Sequence, residues 1–116
     1  MKNLKNYIVE TIVNEDTTMT IGAFVEETSG YTFSAKIVPN YNEFIDTLTE
    51  PYCEWELNGK RVNIGEPDKY QAELTNIIIK NYKEKVRVKK TKDKDAGTRT
   101  WEFDLGSNRI TCIMYQ

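Results

Sequence analysis

Asn58-Gly59 fixes more of this chain's architecture than any other pair of residues in it. Cys53, Trp55 and Leu57 alternate with Glu54 and Glu56 before the pair, and Val62 and Ile64 resume the same period after it. A two-residue type I′ turn needs positive φ at both central residues, which asparagine and glycine tolerate, so two antiparallel strands meet here. Period-2 alternation returns downstream. Val86 and Val88 alternate with Lys85, Arg87 and Lys89, and the polar stretch Lys92 to Gly97 reads as a loop. Trp101, Phe103 and Leu105 then alternate with Thr100, Glu102 and Asp104, and Arg109 to Tyr115 follows a Gly106-Ser107-Asn108 turn. The C-terminal third is therefore expected to be a three-stranded hairpin array.

The N-terminal third carries three β-branched, alternating runs, Tyr7 to Val13, Met19 to Glu26 and Tyr31 to Val38, separated by Asn14-Glu15-Asp16 and Ser29-Gly30. These predict an antiparallel meander, although Leu4, Ile8 and Ile12 fall four apart and suit a helix equally. Two segments have helical spacing. Tyr41, Phe44, Ile45 and Leu48 make one face of a short helix over 41–49, with Asn40 or Asn42 as its cap. Pro67 opens a longer helix over 67–83, with Asp68 in its first turn and Tyr70, Leu74, Ile77 and Ile78 as its buried stripe. Strands joined by tight turns with few helices between them give an α+β class: a mainly antiparallel sheet covered on one face. At 116 residues the chain suits a single domain, 1–116, able to bury its core without a metal or a disulfide.

Composition then narrows the chemistry. The chain has no histidine, which removes Ser-His-Asp and Cys-His arrangements and every imidazole ligand. Cys53 and Cys112 are too far apart for CxxC chemistry, too few for a cysteine zinc site, and lie among alternating apolar residues, so both are expected as free thiols on buried strand faces. No cofactor is implied. The glycines, at 22, 30, 59, 65, 97 and 106, write neither a dinucleotide fingerprint nor a phosphate loop, and no serine stands between glycines. Pro67-Asp68 lacks the acid-x-lysine partner of a nuclease motif, since no Asp or Glu has a lysine two positions on. The longest apolar run is four residues, Cys112 to Tyr115, which fits a cytoplasmic protein without a membrane span. Lysine (12), isoleucine (11), asparagine (10) and tyrosine (7), all with AT-rich codons, associate the chain with a low-GC bacterium or a phage or mobile element.

Two pairs of carboxylates, Glu54 with Glu56 and Glu102 with Asp104, each fall on one face of a strand about 7 Å apart. Such pairs can do acid and base work on glycosides or hold a metal, but they also fit the solvent faces of strands whose other faces are Trp55 and Trp101.

The charge distribution is the strongest signal. Residues 1–79 carry 6 basic and 13 acidic groups, residues 80–99 carry 9 and 3, and residues 100–116 carry 1 and 2. A chain of net charge −2 is thus a dipole in sequence. The basic segment offers Tyr82, Lys85, Arg87, Lys89, Lys90, Lys92, Lys94 and Arg99 to an anionic partner, with Tyr82 able to stack on a base. If strands over 85–91 and 98–105 pair, Arg87 and Lys89 share a face with Glu102 and Asp104 and neutralise them, leaving surplus positive charge toward the loop. An acidic surface from Glu26, Glu27, Glu54, Glu56 and Glu66 that imitates a phosphate backbone is the converse possibility. The last strand is apolar on both sides, with Ile110, Cys112 and Met114 opposite Ile113 and Tyr115, as in a central strand or a homodimer seam.

The expectation is a non-enzymatic binding protein, of the accessory or inhibitor type carried by phages and mobile elements, that occupies a host protein or nucleic-acid-binding complex through a charged surface. The alternative is a binder of an anionic metabolite such as a nucleotide, using Tyr82, Arg87, Lys89 or Arg99 with Arg109 in reserve. A carboxylate enzyme built on Glu54 and Glu56 or on Glu102 and Asp104 is the third reading.

Overall fold

The computed structural model describes residues 12–29, 53–64 and 68–115, in the order β1 (Ile12–Thr20), α1 (Ile21–Ser29), β2 (Cys53–Leu57), β3 (Lys60–Val62), α2 (Lys69–Lys80), β4 (Lys85–Asp93), β5 (Thr98–Asp104) and β6 (Arg109–Tyr115). The expected strand Tyr31 to Val38, the short helix over 41–49, Pro67 and most of the run Tyr7 to Val13 lie outside the described residues. The strands form one six-stranded sheet in the order β1-β4-β5-β6-β2-β3, antiparallel at every pairing. The fold is α+β, as the alternation indicates.

The Asn58-Gly59 hairpin forms as read, with φ of 52° and 84° at the two residues. Asn58 does more than turn. Its Oδ1 accepts from the Arg109 amide at 2.8 Å and its Nδ2 donates to Asn108 Oδ1 at 3.1 Å, tying the β2–β3 turn to the β5–β6 turn. β6 is a central strand between β5 and β2, which accounts for its apolar inner face.

Two readings of the N-terminal third are corrected. Asn14-Glu15-Asp16 is not a turn but the middle of β1, because Glu15 and Asp16 pair in register with Lys90 and Lys89, and Thr91 Oγ1 donates to Asn14 Oδ1 at 3.0 Å. Opposite charges across the ladder hold an otherwise strand-averse triplet extended. Met19 to Glu26 is not a strand either: β1 stops at Thr20 and α1 begins at Ile21. The Thr20 hydroxyl accepts from the Ala23 amide at 2.9 Å and caps the helix, and Ile21, Phe24 and Val25 then fall on one buried face.

Helix α2 starts two residues later than expected and ends at Lys80, short of the expected 83, with Asp68 as its cap rather than in its first turn; Asp68 Oδ1 accepts from the Gln71 amide at 2.8 Å. Its buried face is Gln71, Leu74, Thr75 and Ile78, rotated from the expected stripe. Tyr70 is exposed and sits under two ammonium groups, Lys69 at 5.0 Å and Lys60 at 5.6 Å, while Ile77 is half-buried. The core joins Ile21, Phe24 and Val25 of α1 and Leu74 and Ile78 of α2 to one face of the sheet, where Trp55, Leu57, Val62, Val88, Trp101, Phe103, Ile110 and Cys112 are buried. The opposite face of the sheet is mainly polar, with Ile12, Ile113 and Tyr115 as apolar members toward one end, and the alternation of β4 distributes the basic segment between the two.

Candidate functional site

Register decides what each basic residue faces. Lys85, Arg87 and Lys89 point to the polar face, where Arg87 lies opposite Asp104 and Lys89 lies between Glu102 of β5 and Asp16 of β1. One rung crosses the whole sheet as Arg61, Glu56, Thr111, Glu102, Lys89 and Asp16, alternating in charge about its uncharged threonine. The next rung sets Asp104 between Arg109 and Arg87. Arg61 Nη2 is 3.2 Å from Glu54 Oε1, and Asp104 Oδ1 also accepts from the Gly106 amide at 3.0 Å. Unlike charges facing one another across a ladder stabilise the sheet, so Arg87 and Lys89 are neutralised internally, while Lys85 faces Thr20.

The structure brings the two carboxylate pairs onto this same face. Glu56 and Glu102 flank Thr111 on one rung and, with Asp104 and Arg109, border a cavity of about 490 Å³ beside the two tied turns. Among the described residues no group of three or more cysteine, aspartate or glutamate side chains could hold a metal ion.

Lys90 and Lys92 point the other way, toward the helices. Lys90 lies between Glu15 and Trp101, but Lys92 lies directly opposite Arg99, with Val13 and Met114 as their other neighbours on that rung. Two cations facing each other between apolar neighbours destabilise a ladder unless negative charge comes from elsewhere. They border a cavity of about 330 Å³ that also touches Lys90, Trp101 and the carboxylates of Glu15 and Glu27. Trp101 is only 5% exposed, and its indole Nε1 has no hydrogen-bond acceptor among the described residues. Lys94 is exposed in the β4–β5 turn, which is closed by Asp93 Oδ1 accepting from the Asp95 and Ala96 amides at 3.1 Å each. β4 thus reaches Asp93, past the loop start expected at Lys92.

Tyr82 belongs to neither group. Its carbonyl accepts from the Gly22 amide at 3.1 Å, and its ring lies so close to Gly22 that a Cβ there would be 2.9 Å from Tyr82 Cε1. Burial, with the Glu26 carboxylate adding to it, pushes the phenol up to about 12. Tyr82 therefore locks the α2–β4 connection onto α1.

Cys53 and Cys112, neither in a disulfide, occupy the same sheet face on adjacent strands, one rung apart. A hydrogen bond from Cys112 holds the Cys53 thiol below its ordinary range, against burial, and Trp55 donates to the same sulfur. The Cys112 thiol is raised, first by that same bond and then by its burial.

No family model, curated protein or solved structure matches this chain. No helix among the described residues is long and apolar enough to cross a membrane.

Of the eight basic-segment residues singled out from sequence, then, Lys90, Lys92 and Arg99 share one cavity, Lys94 stands at the turn nearby, Lys85, Arg87 and Lys89 share the outer face, where carboxylates oppose the last two, and Tyr82 is structural. Sequence reasoning missed Trp101 and Glu27 as neighbours of these cations. The signal for Glu27 was the helical spacing of Ile21, Phe24 and Val25 behind a threonine cap; the signal for Trp101 was its pairing with Lys90 once the hairpin register is centred on Asp95-Ala96.

Proposed function

We propose that this chain is a non-enzymatic binding protein that captures a macromolecular partner with an acidic surface through the end of the β4–β5 hairpin. The observation that carries this reading is the Lys92–Arg99 rung: like charges face each other there, with Lys90 beside them and Lys94 beyond, while the rungs of Arg87 and Lys89 are closed by Asp104 and Glu102. Basic side chains gathered at one end of a chain of net charge −2, Lys90, Lys92 and Lys94 among them, suit oriented association with an acidic surface. The codon-linked composition supports a phage or mobile-element setting, in which the partner is a host macromolecule and the chain acts as an accessory or inhibitor.

The test is capture of partners from lysate of the source cell at graded salt. Reversing Lys90, Lys92 and Lys94 to glutamate is expected to abolish salt-sensitive capture, whereas Arg87→Gln with Lys89→Gln leaves it in place. Equal capture by the triple reversal would refute this face and transfer the role to the acidic one.

A further inference from the structure

We infer that Cys53, Cys112 and Met114 form a site for one soft monovalent cation, copper(I), on the buried face of β2 and β6. The site is independent of the hairpin end and of whatever partner that end captures. Register supplies the placement. Met114 stands directly opposite Cys53, and Cys112 is the next residue of β6 on that same face, opposite Trp55. The two thiols hydrogen-bond each other, and the Trp55 indole donates to the Cys53 sulfur. Both cysteines of the chain and one of its three methionines are thereby brought onto neighbouring positions of two paired strands.

The spacing suits a shared ion better than a disulfide. Diagonal neighbours on adjacent antiparallel strands stand about 7–8 Å apart, beyond the Cα separation of about 4.4–6.8 Å that a disulfide spans. Metal–thiolate bonds are about 2.3 Å long, so two sulfurs sharing an ion stand up to about 4.6 Å apart, close to the separation of two thiols sharing a proton. Donor type then selects the metal. Thiolate and thioether are soft ligands that select copper(I), whereas copper(II) and nickel(II) favour nitrogen and oxygen donors and structural zinc takes four ligands. The chain has no histidine, and among the described residues no aspartate or glutamate joins the two cysteines. Met114 is half-buried against the core and carries its thioether on a flexible, unbranched stem that can follow the ion. Cys112 is fully buried between Trp55 and Trp101 on its rung, which makes the inner side of the site a dry apolar floor, while half-buried Cys53 and Met114 form the entry side. An apolar shell and an N–H donated to a ligating sulfur are the outer contacts that orient such ligands. Loading is ligand exchange without electron transfer: two S–H bonds break, both protons pass to solvent, two copper–sulfur bonds form, the thioether adds a lone pair, and copper stays copper(I).

Bathocuproine disulfonate, whose copper(I) complex is coloured, supplies the competitor. Added to that complex without oxygen, the reduced full chain is expected to withdraw one copper(I), and native mass spectrometry to show one chain heavier by one copper less two protons. Copper(I) should also raise the midpoint of thermal unfolding, because the sulfurs come together only when β2 and β6 are paired. Met114→Leu keeps most of the apolar volume and should weaken copper(I) about tenfold or more, and Cys53→Ser should abolish withdrawal. Both substitutions fall at half-buried positions, so each variant should keep the wild-type circular-dichroism spectrum. Retention of copper by the competitor, two coppers per chain, a copper-linked pair of chains, an unmoved midpoint, or full affinity in Met114→Leu would each overturn the site.

Discussion

Replacing Phe24 is the sharpest probe of how α1 is held. Phe24 is 1% exposed and meets three aromatic rings edge-on: Phe103 at 5.0 Å and 80°, Trp101 at 5.4 Å and 66°, and Trp55 at 6.0 Å and 90°. Edge-to-face pairs contribute about 0.5–1.5 kcal/mol each beyond burial, and deleting a buried phenylalanine to alanine costs about 3–5 kcal/mol. Phe24→Leu keeps most of the apolar volume and loses the ring edges, so it should cost about 2–3 kcal/mol; Phe24→Ala should cost about 4 kcal/mol. Urea denaturation followed by tryptophan fluorescence reads both, and at a slope of about 1–2 kcal/mol per molar the leucine variant moves the midpoint down by at least about 1 M. Ala23, exposed on the other side of α1, is the control: Ala23→Lys should change stability by less than about 0.5 kcal/mol. In a strand over 19–26, Ala23 and Val25 would share the buried face and Phe24 would face solvent. A cost below about 1 kcal/mol for Phe24→Ala together with a large cost for Ala23→Lys would therefore refute the docked helix.

Other consequences follow from the same contacts. Because the folded-state phenol of Tyr82 is raised from 10.0 to about 12, the stability it contributes is complete below pH 10 and is lost as pH rises toward 12; Tyr82→Phe should flatten the fall in melting temperature across that window. Thiol labelling under native conditions should modify Cys53 alone and reach Cys112 only on unfolding, and Cys112→Ala should slow labelling of Cys53 near neutral pH by removing the bond that holds its thiol down. Asp104→Lys would set a third cation between Arg87 and Arg109; it should destabilise the sheet by about 0.5–1 kcal/mol at low ionic strength, with part of the loss recovered in salt.

Much of the sheet was legible because its signals are local. Asn58-Gly59 has one favoured turn, and Trp101, Phe103, Val88 and Ile110 sit on the buried face that strict alternation assigns them. The failures came where two local signals compete. Met19, Ile21 and Val25 are β-branched or long apolar residues that suit an alternating strand, yet Phe24 beside Val25 fits only the helical spacing, and the Thr20 cap lets the chain change period within one residue. Asn14-Glu15-Asp16 reads as a turn in isolation and becomes a strand only through lysines more than seventy residues away. The split of the basic segment was visible in part. Cancellation of Arg87 and Lys89 follows from pairing β4 with β5, but the Lys92–Arg99 opposition depends on a turn at 94–97 that is shorter than the polar stretch suggests, and the approach of Glu27 depends on the helix that alternation concealed.

The central claim is that the end of the β4–β5 hairpin engages an acidic macromolecule, and native mass spectrometry of the chain captured gently from its source-cell lysate tests it most directly. The wild-type chain is predicted to carry a stoichiometric protein or nucleic acid that dissociates with salt, and the Lys90, Lys92 and Lys94 reversal to emerge bare. A wild-type chain bearing only a mass of a few hundred daltons, or a reversal variant that keeps the same macromolecular partner, would contradict it.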